Sequence, residues 1–453
     1  MKVQAFKAQG LAQLSYLVTS GNEGFIVDPQ LDIQPYLKAA RAENVRIKFV
    51  VETHRNEDFV SGAAALKSKL DIPVYHGRHS DESIDYADAV KQGDEFEVGE
   101  LKVTVWETPG HTKDSVCYVV ADTAISDESV VIFTGDTLFV NDVGRTDFYP
   151  DQEKEIAATL YDSLHELLKL PESTIVYPAH GAGSVCGGGM ADREFSTLGY
   201  EKRHNPKLKI GDKDKFVEAK LAETHYYAPY FEKMEHYNAR GKAEAIDERH
   251  LSQLDNQAWD DVISGKFACQ LVDLRGQPAF CQSHIRGSLF LHGGMVSAYG
   301  GWFLNYDDPI VFVADSAEQA QSAAKQLWRM GYDNLHGYGS KVPVFTGNSN
   351  DKVRRLSLLT VDQFADENRS DQSLMLDVRK QDERDQSAIP GSKHIYLGFV
   401  PDNIDEIKQA ERVTCLCASG VRATIAASYL LQQGVENVEV LQGSMQAWKA
   451  SKG

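Results

Sequence analysis

Four stretches in the first half of the chain end an apolar run with a side chain able to bind a metal. They are Thr53-His54, Pro109-Gly110-His111, Thr134-Gly135-Asp136 and Pro178-Ala179-His180. Each places a Gly, Pro or Thr, residues suited to tight turns, beside the candidate donor. Strand ends of this kind converge in α/β proteins, because loops from separate strands open onto one edge. A single strand-end histidine is ordinary structure; four such clusters together point to a metal centre. A fifth stretch offers different chemistry. Cys417 opens the loop Cys417-Ala418-Ser419-Gly420-Val421-Arg422, between the apolar run VTCL and the helical ATIAASYLLQQG. A sulfur at that place meets the unpaired backbone N–H groups of a helix N-terminus, which favour the thiolate and would equally cradle a persulfide.

These side chains need elements to hold them. Up to about residue 230, short apolar or alternating runs such as LSYLV, GFIVDP, IKFVVE, LKVTVWETPG, SVCYVVAD, SVVIFTGD and STIVYPAHG are closed by turn residues and read as strands. Helical stretches lie around 34–44 and in QEKEIAATLYDSLHELLKL. Many strands with interspersed helices imply a layered α/β sandwich. Residues 231–250 are polar and charged and read as a linker or connecting helix. The remainder contains an internal repeat. LVDLRGQPAFCQSHIRGSLFL (271–291) resembles LDVRKQDERDQSAIPGSKHIYL (376–397), and residues 310–335 line up with 413–438 at an offset of about 103. Each copy reads as a small parallel α/β domain. The expected organisation is 1–230, a linker 231–250, a first repeat 251–348 and a second 354–453.

Bulk properties narrow the classes. A chain of 453 residues exceeds one hydrophobic core. A formal charge of −19 disfavours nucleic acid and anionic membranes as partners. No apolar run is long enough to span a bilayer, and no signal peptide is read at the N-terminus. Six scattered cysteines make no disulfide framework and fit a reducing cytoplasm. Symmetric homo-oligomers are common among multidomain enzymes, and one is expected here.

The four strand-end clusters resemble the metallo-β-lactamase fold superfamily, which implies an αββα sandwich over most of the first section. Binuclear hydrolases of that superfamily, such as glyoxalase II, carry His-x-His-x-Asp-His. Here the stretch is His54-Arg55-Asn56-Glu57-Asp58-Phe59, so Asn56 and Phe59 stand where two of the ligands would be. That argues against a hydroxide shared by two zinc ions. His54, His111 and Asp136 remain, a two-histidine, one-carboxylate set of the kind that binds a single non-haem Fe(II). In the persulfide dioxygenases of the superfamily, the corresponding positions hold one iron. DVGRTDF (142–148), HGAGSVCG (180–187) and STLGYEKRHNP (196–206) extend the resemblance. It implies that Arg145 pairs with an anionic group of a thiol carrier such as glutathione or coenzyme A, a role suited to a guanidinium fork. His180 is expected to hydrogen-bond in the substrate pocket. Asp58 is expected to orient a ligand imidazole or cap the next helix, and Asn56 to contact substrate or hold the turn. Cys186 reads as a small filler or a sulfur acceptor.

The second repeat resembles the rhodanese (sulfurtransferase) domain through Cys-x-x-Gly-x-Arg, LDVR and IPGS-x-HI. The resemblance makes Cys417 the sulfur carrier and Arg422 the loop arginine, with Asp377 and Arg379 as structural support. In the first repeat Ala314 and Gln319 stand at the positions of Cys417 and Arg422, so that copy is expected to be inactive, a spacer or docking unit. Cys269, Cys281 and Cys415 do not replace the missing thiol. The combined expectation is an α/β multidomain Fe(II) persulfide dioxygenase, one iron per chain. It would use O2, form sulfite and exchange sulfur with thiosulfate. The alternatives are a zinc thioester or lactone hydrolase fused to a sulfurtransferase, or a scaffold in which only Cys417 works.

Overall fold

The computed structural model describes residues 1–8, 10–184, 188–346, 352–366 and 372–452. Cys186 lies outside the described residues. Two compact units are present: Met1–Arg249 with Arg329–Gly331, and His250–Trp328 with Tyr332–Gly453.

In the first unit, the central strands are buried along nearly their whole length, because two sheets pack face to face and helices cover their outer faces. The described residues form two six-stranded sheets. One runs in chain order from Lys2–Lys7 through Leu14–Ser20, Glu23–Val27, Arg46–Val51 and Val74–Gly77 to Asp88–Val90. The other runs from Glu95–Val98 through Leu101–Glu107, Val116–Asp122, Ser129–Gly135 and Ile175–Pro178 to Ser196–Thr197. Tyr16, Phe25 and Phe49 of one sheet pack with Val103, Tyr118 and Phe133 of the other. Helices Gln34–Ala42 and Ala63–Leu70 bury Tyr36, Leu37 and Leu66 on the first sheet's outer face. Helix Glu153–Leu167 lays Leu160, Leu164 and Leu167 on the second sheet's outer face. This is the expected αββα sandwich.

Of the two readings of residues 231–250, linker or connecting helix, a helix is present. Helix Phe231–Arg240 buries Phe231 and Met234, and Asp247 accepts from the backbone N–H groups of Ile33 and Gln34. The polar composition that suggested a linker belongs to one face of an amphipathic helix and to this cap.

The second unit holds both repeats. The strand order of the first is Leu289–Phe290, Gln270–Asp273, Ile310–Val313, Leu335–Gly339, all parallel. The second copy has the order Ser357–Leu359, Val438–Leu441, Arg412–Leu416, Ser373–Asp377, Lys393–His394, also parallel. The copies pack into one unit. Phe290 N donates to Ser428 Oγ, and Trp302 sets its ring edge-on against Tyr396 and Phe399. Among the described residues no helix is long and apolar enough to cross a membrane.

Candidate functional site

Strand Arg46–Val51 delivers His54 to the end of its sheet, and two buried carboxylates clamp the chain on either side of it. Asp28 accepts from Thr53 N at 2.7 Å and Thr53 Oγ1 at 2.8 Å, while Asp114 accepts from Arg55 N at 2.9 Å. The other donors reach the same spot because glycines let strands and helices close in. A Cβ on Gly135, at φ +54°, would lie 2.6 Å from Thr53 Oγ1; one on Gly110 would lie 2.4 Å from Leu160 Cα. Side chains at these positions would push Asp136 and His111 away from His54.

Among the described residues, one set of potential metal-binding side chains converges: His54, His111 and Asp136, with ligand atoms all within 4.8 Å of one another and all buried. The histidine tautomers follow from their partners. Thr53 spends its hydroxyl proton on Asp28, so His54 Nδ1–H donates to Thr53 Oγ1 at 2.9 Å. His111 Nδ1–H donates to the Arg145 carbonyl at 3.0 Å. In the neutral rings both Nε2 atoms then carry lone pairs, and neither has a hydrogen-bond partner among the described residues. They face Asp136 Oδ2 at 3.9 and 3.6 Å. Acceptors pointing at acceptors in a buried site are stable around a cation. Two imidazoles oriented through Nδ1 and one carboxylate suit a divalent transition metal.

The remaining first-unit candidates occupy other places. His180 Nδ1 donates to Asp136 at 2.7 Å, and its Nε2 lies 3.2 Å from Asp58 Oδ2. Its ring thus spans two carboxylates and is not offered to a substrate. Burial raises the Asp58 carboxyl against the pull of His180, and helix Ala63–Leu70 is capped at Gly62 without a side-chain hydrogen bond, so Asp58 does not cap it. Asn56 holds the turn, donating from Nδ2 to the His54 carbonyl at 3.3 Å. Phe59 is buried with its ring edge toward His180.

Arg145 departs most from expectation. Its guanidinium is buried, donates to both carboxylate oxygens of Asp147 at 2.7 and 2.6 Å, and lies over the Phe148 ring. Asp147 thus takes the Nε–Nη2 edge, and Nη1 donates to the Tyr226 carbonyl at 3.4 Å. Arg145 acts on the site through its carbonyl, which orients His111. Asp147, two residues downstream in RTDF, was the signal available in the sequence.

A buried ion network below the site also escaped the sequence reading. His76 lies between Asp114 Oδ2 at 2.7 Å and Glu52 Oε2 at 3.3 Å, and Glu52 also accepts from Ser61 and Tyr86. Burial pulls the His76 imidazole down, but Asp114 and Glu52 outweigh it and raise the group from 6.5 to about 10. The stability this supplies is fully present below pH 6.5 and is lost as pH rises through about 10. His76→Gln leaves two buried carboxylates facing a neutral side chain and is expected to destabilise by about 3–5 kcal/mol. The urea midpoint of the full chain should fall between pH 7 and 10, and fall less in this variant.

In the second unit, Cys417 follows strand Arg412–Leu416 and sits before helix Val421–Gln432. Its Sγ accepts from Gly420 N at 3.1 Å, and its own N–H donates to Ser444 Oγ at 3.1 Å. Cys417 is 1% exposed. Arg422 lies on the first turn of that helix, with both terminal nitrogens donating to Glu383 at 2.6 Å. What the loop presents to sulfur is therefore backbone N–H, with the arginine held beside it. Asp377 and Arg379 form a buried bidentate pair, and Arg379 also donates to the carbonyls of Glu383 and Ser387. Asp273 and Arg275 repeat the pair in the first copy. There Ala314 is buried, and Gln319 folds back onto Leu274 O and Asp315 N.

The first copy also braces the working loop. Gln277 Nε2 donates to Gly420 O at 3.1 Å and to Thr424 Oγ1 at 2.6 Å. The first copy, expected to be an inactive spacer or docking unit, thus contacts the Cys417 loop through Gln277. Burial raises the Cys269 and Cys281 thiols to about 11 and 12 and raises Cys415 further.

Comparison with known proteins agrees with this partition. Residues 8–180 match the metallo-beta-lactamase superfamily. Residues 254–338 and 360–451 each match the rhodanese-like domain. A hydroxyacylglutathione hydrolase of Neisseria meningitidis is 34% identical over 166 residues, 36% of this chain and 61% of the relative. The persulfide dioxygenase ETHE1, mitochondrial, of Bos taurus is 29% identical over 191 residues, 42% of this chain and 67% of the relative. The chain thus spans about 60% of the length of the hydrolases it matches. A solved metallo-beta-lactamase from Staphylococcus aureus is similar at TM-score 0.68 and 27% identity, covering 75% of this chain and 98% of that one.

Proposed function

For a chain that joins a metallo-beta-lactamase superfamily domain to two rhodanese-like domains, we propose a mononuclear Fe(II) persulfide dioxygenase coupled to sulfur transfer. The observation that carries this reading is the donor set: His54, His111 and Asp136 converge, while Asn56 and Phe59 stand where a second metal would need histidines. The similarity to a persulfide dioxygenase over 191 residues supports it. The overall reaction is RSSH + O2 + H2O → RSH + SO3²⁻ + 2H⁺, where RSSH is a low-molecular-weight thiol persulfide such as that of glutathione or coenzyme A.

An iron held by His54, His111 and Asp136 would supply open coordination positions for oxygen chemistry at the substrate sulfur. The chain's own residues set that stage. Thr53 and the Arg145 carbonyl hold the imidazoles so that both Nε2 lone pairs converge, and His180 fixes the Asp136 carboxylate. Asp28 and Asp114 hold the backbone around His54. In the second unit, the Cys417 thiolate attacks the outer sulfur of a persulfide and releases RSH. Sulfite then takes that sulfur from the Cys417 persulfide, giving thiosulfate and returning the thiolate. The Gly420 N–H stabilises negative charge on Cys417 sulfur before and after transfer.

A second reading, a thioester hydrolase, is supported by the 34% identity to hydroxyacylglutathione hydrolase. One experiment separates them. Anaerobically iron-loaded chain is offered glutathione or coenzyme A persulfide in an oxygen electrode, and S-lactoylglutathione in a parallel hydrolysis assay. Oxygen uptake without hydrolysis is expected. Hydrolysis without uptake would establish the hydrolase and refute the dioxygenase.

A further inference from the structure

Glu57 is placed by the same turn that places His54, three residues on. It is buried, at 2% exposure, and its Oε2 stands 3.9 Å from His54 Nε2 and 3.7 Å from His111 Nε2. Asp136 Oδ2 relates to the same two nitrogens at 3.9 and 3.6 Å. The two carboxylates thus stand in matching relation to the histidine pair. Glu57 also lines a pocket of about 310 Å³ with Arg55, Thr112, Phe148 and Tyr149. It therefore stands where the pocket meets the metal-binding nitrogens.

The hydrogen-bond directions make this arrangement informative. Both Nδ1 atoms are donors, to Thr53 Oγ1 and the Arg145 carbonyl, so in the neutral, metal-binding form of the rings both Nε2 atoms present lone pairs. A carboxylate oxygen held near two buried imidazole lone pairs makes chemical sense around a shared cation. Asn56, at the position where the hydrolase pattern has its second histidine, turns its Nδ2 back to the His54 carbonyl. The next residue faces the centre in its place.

We propose that Glu57 is a fourth protein ligand of the metal, giving a two-histidine, two-carboxylate centre. This rests on the mononuclear reading above and deepens it. Two carboxylates balance the charge of a divalent ion, and hard oxygen donors shift preference toward iron or manganese. A substrate sulfur arriving through the pocket must bind beside Glu57 or displace it.

The test is metal binding, independent of turnover. Apo full-length chain is titrated anaerobically with Co(II) against a competing chelator, and the visible spectrum of the bound ion is recorded. Glu57→Gln keeps the shape of the side chain and removes its charge. It is expected to weaken Co(II) binding by at least about 10-fold, the lower bound for groups that only support ligands, and to shift the visible bands. Glu57→Asp keeps a carboxylate and should fall between the two, so the proposal stays testable if Glu57→Gln does not fold. Asp81→Asn, at the pocket wall, is the control expected to bind as the unaltered chain does. Affinity within two-fold and an unchanged spectrum in Glu57→Gln, or in Glu57→Asp if only that variant folds, would overturn the proposal. A Glu57-dependent spectrum without oxygen uptake would defeat the dioxygenase reading and leave this one standing; uptake with a Glu57-independent spectrum would do the reverse.

Discussion

His111→Ala is expected to abolish metal binding and oxygen uptake together. The imidazole is buried, its Nδ1–H is committed to the Arg145 carbonyl, and its Nε2 faces Asp136 at 3.6 Å. Losing a group that merely supports a ligand lowers affinity by about 10–100-fold, so losing a ligand should weaken Fe(II) by more than about 100-fold. The fold should survive. The variant loses one hydrogen bond, worth about 1 kcal/mol, and relieves acceptor crowding around Asp136. Metal content by elemental analysis and oxygen uptake should both approach zero, while sulfur transfer at Cys417 changes little. A His111→Ala chain that retains one tightly bound ion would remove His111 from the centre.

Cys417→Ser is expected to do the opposite. The serine hydroxyl keeps the volume and the hydrogen bond from Gly420 N, yet it does not ionise near neutral pH and cannot carry sulfur. Sulfur transfer from thiosulfate to a thiol should fall by more than about 1,000-fold, in keeping with the loss of a nucleophile. Oxygen uptake should stay within about two-fold. Mass spectrometry after exposure to persulfide should show a gain of one sulfur on the unaltered chain and none on the variant. Transfer that survives Cys417→Ser would place the sulfur carrier elsewhere.

The fold was legible because its signals are local. Strand-end donors, alternating runs and a repeat offset of about 103 residues are properties of short windows. The three metal-facing residues were reachable the same way, since each closes its own strand. What the sequence hid is pairing between distant segments. Arg145 is the local exception: Asp147 stands two residues on, but spacing alone does not say whether the fork meets it or a substrate. Nothing in the turn singles out Glu57, because the backbone leading to it is held by Asp28 and Asp114, far away in the chain. His76 and Glu52 come from neighbouring strands, and Gln277 reaches the Cys417 loop from 143 residues away. Helix Phe231–Arg240 stayed open between linker and helix for a related reason. Its buried face is short, and its polar face dominates the composition.

The central claim is a single metal ion held by His54, His111 and Asp136. Its most direct test is the metal content of the full chain, reconstituted anaerobically with graded Fe(II), set against oxygen uptake with a thiol persulfide. The prediction is that uptake rises linearly with iron and stops rising at one ion per chain, with no second ion retained after desalting. Two ions retained per chain, with activity that grows only as the second binds, would contradict it.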